Sequence, residues 1–159
     1  MPESQRSLFA ALGRVPSGLF ILTVKRGGQE TGMLASWVQQ CSFDPPQVTI
    51  AIQKDRFVGK WLNEGTAFTI NILDETQTDM ISHFGRGFNP GEPAFDGLDV
   101  RNRPNSGTIL SEALAYLDCE VASKVPAGDH RIVVGKITAG GLINEGRPMV
   151  HVRKSGRHY

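Results

Sequence analysis

Hydrophobic residues along the chain fall mostly into short runs of period two or of no period, and only three stretches carry helical spacing. Ser4 to Leu12 reads as a helix stopped by Gly13, with Pro16 soon after. Gly18 to Lys25 (GLFILTVK) is an apolar, β-branched run ending at the hairpin signal Arg26-Gly27-Gly28, so Thr31 to Val38 is the returning strand. Asp44-Pro45-Pro46 breaks the chain, because proline fixes φ and offers no amide hydrogen. Val48 to Gln53 (VTIAIQ) alternates as a half-buried strand does. Arg56 to Glu64 sets Val58, Trp61 and Leu62 at helical spacing, with Gly65 beyond its end. Phe68 to Leu73 is a fourth strand. Thr76 to Phe84 is a third helix, capped by Asp74 or Thr76, with Met80, Ile81 and Phe84 on one side.

Gly85 to Asn105 is rich in Gly, Pro and Asn, and a connection of that length inside a compact domain usually serves function or moves. It is read as a flexible cover reaching over the site or toward another subunit. Strands at Ala115 to Val125, Arg131 to Ala139 and Pro148 to Arg153 complete a set of about seven. Strands joined by turns, with too few helices for βαβ crossovers, predict a mainly β fold: a barrel of antiparallel strands with short flanking helices. The absence of G-x-G-x-x-G between strand and helix argues against a Rossmann sheet, and G-x-x-x-x-G-K-[ST] is absent too. Any nucleotide is therefore held in another way.

The length of 159 residues suits one domain spanning 1–159, large enough to bury roughly 68–70% of its unfolded surface without a metal or disulfide staple. A net charge of +1 gives no electrostatic reason to expect nucleic acid or a membrane surface as partner. The apolar runs are far shorter than the ~20 residues of a membrane helix, and the first residues lack a signal-peptide core. Cys41 and Cys119 lie in strand-like segments without C-x-x-C spacing, and are expected to be reduced and buried in a cytoplasmic protein.

Three stretches are candidates for chemistry. Gly32 to Pro46 (GMLASWVQQCSFDPP) is a strand that leaves its pairing near Ser36, so freed amides and the Ser36 and Ser42 hydroxyls can donate to a planar heterocycle or a phosphate. The plain alternative is a strand, a bulge and a turn, with Gln39, Gln40 and Ser42 facing water. Lys54 and Arg56 set two cations beside the free amides of a helix start, where an anion is favoured; they also read as a solvated cluster around Asp55. Gly128-Asp129-His130 opens a strand, and His130 at a barrel mouth can bond a carboxamide or donate a proton near neutral pH; alternatively it is an incidental turn residue. Trp37 is either core or a ring that stacks beside the binding strand. The histidines form no H-E-x-x-H, which argues against a metal site, and no G-x-S-x-G elbow is present.

Taken in order, four motifs resemble the flavin reductase-like family: Arg14-Val15-Pro16-Ser17-Gly18 before a strand ending Thr23-Val24; Gly32-Met33 through Ser42-Phe43-Asp44-Pro45-Pro46; the strand FTINIL at Phe68 to Leu73; and Gly128-Asp129-His130 with Gly135. MLASWVQQCSFDPP, QKDR and HVRKSGRHY are most similar to the C-terminal flavin reductase-like module of diflavin (flavodiiron) flavoproteins. The resemblance implies an FMN-binding split barrel and hydride transfer from NAD(P)H to flavin, or a non-catalytic FMN-binding electron-transfer module serving an electron-acceptor protein. It implies that Met33, Leu34, Ala35 and Ser36 line the ring edge and ribityl chain. Gln39, Gln40, Cys41 and Ser42 approach the ribityl and phosphate, Lys54 and Arg56 neutralise the phosphate, and His130 sits at the nicotinamide side. A homodimer paired through the barrel is implied as well. The chain departs from the commoner family pattern with Ser36-Trp37 for Asn-Ser, Gln39-Gln40 for Thr-Ser, and Arg56 for Ser.

Overall fold

The computed structural model describes residues 1–159. Helix α1 (Glu3–Gly13) leads through β1 (Ser17–Gly18) to the hairpin β2 (Phe20–Arg26) and β3 (Gln29–Ala35), turned at Gly27-Gly28. A second hairpin, β4 (Val38–Phe43) and β5 (Pro46–Gln53), is followed by α2 (Val58–Trp61), β6 (Ala67–Ile72) and α3 (Thr78–Gly85). After the small pair β7 (Val100–Arg101) and β8 (Ile109–Leu110) comes the long hairpin β9 (Ala115–Ala127) and β10 (His130–Leu142), and β11 (Val150–His151) closes back on β1.

Seven strands form one antiparallel sheet in the order β3-β2-β6-β9-β10-β5-β4. The sheet is an open barrel. Its two edges, β3 and β4, are separated in sequence by only Ser36 and Trp37, yet they do not pair. Leu22, Ile50, Phe68, Ile70 and Val133 fill one face, and Val58, Trp61 and Leu62 from the α2 region pack against them. Each such side chain contributes about 1.5–3 kcal/mol by leaving water. The other face buries Leu19, Ile21, Leu73, Met80, Phe84 and Leu110 in a second core.

The mainly antiparallel β fold is as the periodicity predicts, while several local expectations are corrected. The helix expected over 56–64 shrinks to four residues, and no side chain caps α3. Asp74 instead accepts hydrogen bonds from the Thr76 amide and hydroxyl and from the Arg147 amide, and the Thr76 bonds hold its carboxyl below the usual range. The strand expected at 148–153 pairs only at Val150–His151. Cys119 is buried as expected, and burial, with Asp118 nearby, pushes its thiol up to about 12. Cys41 is exposed, because it occupies a bulge in the edge strand β4 that nothing covers.

Residues 85–105 are not a loose cover. Ala94 is buried, Phe95, Leu98 and Val100 pack on the second core, and His83 Nε2 bonds Ala94 O at 2.7 Å. Polar side chains of the sheet hold the return path. Thr23 Oγ1 donates to Thr108 O at 2.7 Å, and Asn71, fully buried, donates to the carbonyls of Ile21 and Thr108 while its Oδ1 accepts from Leu110 N. Arg103 grips both oxygens of Asp118 at 2.7 and 2.6 Å and also bonds Gly107 O.

Burial alone would raise the Asp118 carboxyl, but the hydrogen bonds from Arg103 and Thr69 outweigh it and hold the group below its ordinary value of 3.8. The stabilisation is therefore complete above that value and disappears as pH falls through the lowered one. Asp118→Asn is expected to cost about 2 kcal/mol at neutral pH, since Arg103 stays partly solvated. The acid-side loss of stability should become shallower in the variant. Urea midpoints measured between pH 7 and 3 check both outcomes.

Candidate functional site

The split in the barrel opens as a narrow cleft between the ends of β3, β5 and α3. The end of β3 supplies Met33, Leu34 and Ala35, the end of β5 supplies Ala51 to Gln53, and the last residues of α3 supply Phe84 and Gly85. The helix can come this close because β3 carries Gly32, where a Cβ would lie 2.7 Å from the Phe84 ring. The lining is mostly apolar, with Ser36, Gln53, Arg56 and Tyr159 as its polar members.

Two of these are uncommitted. Ser36 is 7% exposed and its Oγ has no hydrogen-bond partner, an arrangement that costs roughly 1–3 kcal/mol unless something pairs with it. Arg56 takes part in none of the structure's ion pairs. As an edge strand bonded only to β2, β3 also leaves alternate amides and carbonyls unclaimed by the sheet. An apolar slot with one orphan hydroxyl, free backbone donors and a lone guanidinium suits a flat ring carrying an anionic tail.

Beside the cleft lies an open space that shares Ala51, Gln53 and Tyr159 with it and adds Trp37, His130 and Arg153. His130 Nδ1 contacts Asp129 Oδ1 at 2.6 Å, and Nε2 contacts Tyr159 Oη at 2.5 Å. An ionised carboxylate can only accept, so Nδ1 carries the proton there, and in the neutral ring Nε2 accepts from the tyrosine hydroxyl. The His130 bond holds the Asp129 carboxyl low, while burial raises the Tyr159 hydroxyl. The indole of Trp37 lies 4.9 Å from the His130 ring and 5.0 Å from that of Tyr159, with the Arg153 guanidinium 5.0 Å from its centre. Trp37 is thus packed among its neighbours and does not line the cleft.

A model of the flavin reductase like domain matches residues 12–158. The chain belongs to this family. Diflavin flavoprotein A 1 from Synechocystis is 42% identical over 151 residues, which cover 94% of this chain and 26% of that protein. The chain thus spans about a quarter of the length of the curated relatives it matches, as a module of them does. Among solved structures, the NADH:FAD oxidoreductase SgcE6 of Streptomyces globisporus superposes with a TM-score of 0.84 and 26% identity, over 99% of this chain and 92% of the other. The same protein in complex with NAD and FAD fragments aligns with a TM-score of 0.82 at 24% identity, over 99% and 92%, a likeness of fold.

Of the family positions carried onto this chain, Met33, Leu34, Ala35, Ser36 and Arg56 come together in the cleft. His130 stands in the adjoining space and touches the cleft through Tyr159. Gln39, Gln40, Cys41 and Ser42 lie along β4 beyond the cleft lining, the first three exposed. Lys54 does not line the cleft with Arg56: its amide bonds Asp129 O at 3.0 Å, and its charge adds to the His130 bond that holds the Asp129 carboxyl low. With α2 only four residues long, no helix dipole of consequence backs this pair.

Gln53 and Tyr159 are cleft residues that the sequence reading passed over. The alternation of β5 already puts Gln53 on the same face as Ala51. Tyr159 carries no local signal, because its place depends on a contact with His130 across 29 residues. Since Ser36→Ala removes an unpaired buried hydroxyl, the unliganded variant is expected to be as stable as the parent or up to about 1 kcal/mol more stable. Thermal denaturation without ligand measures this.

Proposed function

We propose that the cleft holds flavin, as FMN, and that the chain is an NAD(P)H-dependent flavin reductase-like oxidoreductase passing reducing equivalents on to an acceptor. The observation that carries this reading is the buried, partnerless Ser36 hydroxyl in an apolar slot with the unpaired Arg56 at its end. When bound, the flavin supplies the redox chemistry, accepting hydride from the nicotinamide.

The protein's own part is binding, orientation and exclusion of water. Met33, Leu34, Ala35 and Phe84 press on the ring, and Ser36 with the free amides of β3 bonds its polar edge. Arg56 meets the phosphate with a forked pair of N–H donors. His130, held in one tautomer by Asp129, presents Nε2 toward Tyr159 at the side where a nicotinamide carboxamide enters. In this reading Gln39 to Ser42 and Lys54 act from the rim.

A second reading is a flavin-holding electron-transfer module that serves a partner protein. It draws on the chain's match to a quarter of its diflavin relatives. The two readings part on one measurement: FMN-loaded protein that oxidises neither NADH nor NADPH is a carrier.

Titration of FMN into the purified protein, followed by quenching of flavin fluorescence, tests the site itself. Arg56→Gln is expected to weaken binding about tenfold or more, and Ser36→Ala about three- to tenfold, from charged and neutral hydrogen bonds of about 1.5–3 and 0.5–1.5 kcal/mol. Unchanged affinity in both variants overturns the assignment of the cleft.

The reading includes a homodimer and a cytoplasmic setting. The open edge of β4 and the apolar side chains of Phe43 and Leu142, 91% and 87% exposed, favour a second copy as the surface that covers them. Light scattering coupled to size exclusion should give twice the chain mass of 17.3 kDa, and Phe43→Asp should shift it toward the monomer.

A further inference from the structure

Both nitrogens of the buried His130 ring are already engaged. Nδ1 faces Asp129, and Nε2 contacts the hydroxyl of Tyr159. A neutral imidazole has one donor and one acceptor, so neither is left for a ligand while Tyr159 stays. We propose that Tyr159 is a stopper: it stands in the nicotinamide's place against His130, and the dinucleotide enters by displacing it. Resting on the reading that a nicotinamide donor enters beside His130, this assigns control of that entry to one side chain.

The tyrosine covers the surface a flat heterocycle would rest on. Of the three residues shared by the cleft and the space beside it, Ala51 and Gln53 belong to β5, while Tyr159 stands outside the sheet. Its ring lies 5.0 Å from the indole of Trp37 and 5.9 Å from the His130 imidazole, and those two rings are 4.9 Å apart.

Tyr159 is held far more lightly than the residues before it. The Arg153 amide donates to Gly13 O at 3.1 Å, and the Gly156 amide to Phe9 O at 2.6 Å. The crossing over α1 is tight: a Cβ at Gly13 would lie 2.7 Å from Arg153 O, and one at Gly156 would strike Leu12. The Arg157 guanidinium turns back to 5.4 Å from the centre of the Phe9 ring. Arg153 Nη1 donates to His158 O at 3.2 Å, and the same guanidinium lies over the Trp37 indole. Residues 153–158 are thus strapped to α1 and to one another. Tyr159 hangs from that strap, 53% exposed, with one side-chain hydrogen bond and tilted ring contacts. It can leave without moving α1 or the sheet. A ligand that binds only the opened form has its affinity lowered by the fraction that is open, and the hydroxyl bond sets much of that fraction.

The test titrates NAD⁺ and NADP⁺ by calorimetry into the unliganded and the FMN-loaded chain. Tyr159→Phe keeps the ring and loses the bond, and should bind the preferred dinucleotide about three- to tenfold more tightly than wild type. Tyr159→Ala should gain at least as much. Displacement is read directly by fluorine resonance of protein carrying 3-fluorotyrosine at Tyr116 and Tyr159, the two tyrosines of the chain. The signal missing from Tyr159→Phe should move toward that of the free amino acid when dinucleotide is added, and that of Tyr116 should stay. Weaker binding in both variants would make Tyr159 a ligand contact. That result, equal affinity in all three proteins, or no binding by any of them, overturns the proposal. The flavin reading is judged separately, by the FMN affinity of Ser36→Ala and Arg56→Gln, and the titration without FMN tests the stopper whatever that affinity proves to be.

Discussion

The structure turns on a gap that hydrogen bonding does not close. An antiparallel sheet of seven strands that curls this far can gain backbone bonds by joining its edges, and here the edges, β3 and β4, follow each other in sequence. Ser36 and Trp37 carry the chain across, and Trp37 O accepts from Ala51 N at 3.0 Å, which ties the crossing to β5 rather than to β3. Joining the edges would satisfy their amides and fill the cleft with backbone. Leaving them apart costs unpaired polar groups, among them the Ser36 hydroxyl, and keeps an apolar slot whose donors are aimed inward. The large core, to which Met33, Ala35 and Ile52 of the cleft wall belong, offsets that cost.

A gap of this kind is useful only if its walls stand still, and that depends on the outer face. Asn71, Thr23 and the Arg103–Asp118 pair bind the stretch from Arg103 to Leu110 onto β2, β6 and β9 through its own carbonyls and amide. Held there, the segment closes the second core over α3. Phe84 is in turn pressed on Gly32, and Arg86 to Glu92 are kept beside Arg56. The polar clamps thus hold in place the helix and segment that wall the cleft.

This explains which parts of the molecule were legible in the sequence. Period two in Val48 to Gln53, and the apolar runs at Gly18 to Lys25 and Phe68 to Leu73, mark strands because burial on one face imposes that period wherever the strand ends up. Ser36 was legible as a break because small and polar residues follow a strand and precede two prolines. The order of residues 85–105 was not, since a Gly- and Pro-rich composition reads as mobile, and what holds the segment is distant in sequence: the second core with Leu19 and Ile21, on which Ala94, Phe95 and Leu98 pack, and Asp118, which pairs with Arg103. The short α2 was overestimated because Val58, Trp61 and Leu62 are spaced for the core that surrounds them, which needs only one turn. Cys41 was expected inside on residue type, but an edge strand has one face with no neighbour to bury it.

The parting of Lys54 and Arg56 shows how two residues close in sequence come to serve different ends. Two positions apart in a loop, they read as one cationic cluster. The chain leaves β5 at Gln53, and the Lys54 amide is drawn to Asp129 O at the turn joining β9 and β10. The next residues reverse toward α2, so Arg56 swings to the cleft, where Gly87 meets its guanidinium. One cation thus joins the field around Asp129, and through it the His130–Tyr159 contact, while the other is left free at the far end of the slot. In the proposed reading, that asymmetry would orient a ligand with an uncharged ring and a single anionic end, its phosphate meeting Arg56 and its ring facing the histidine side.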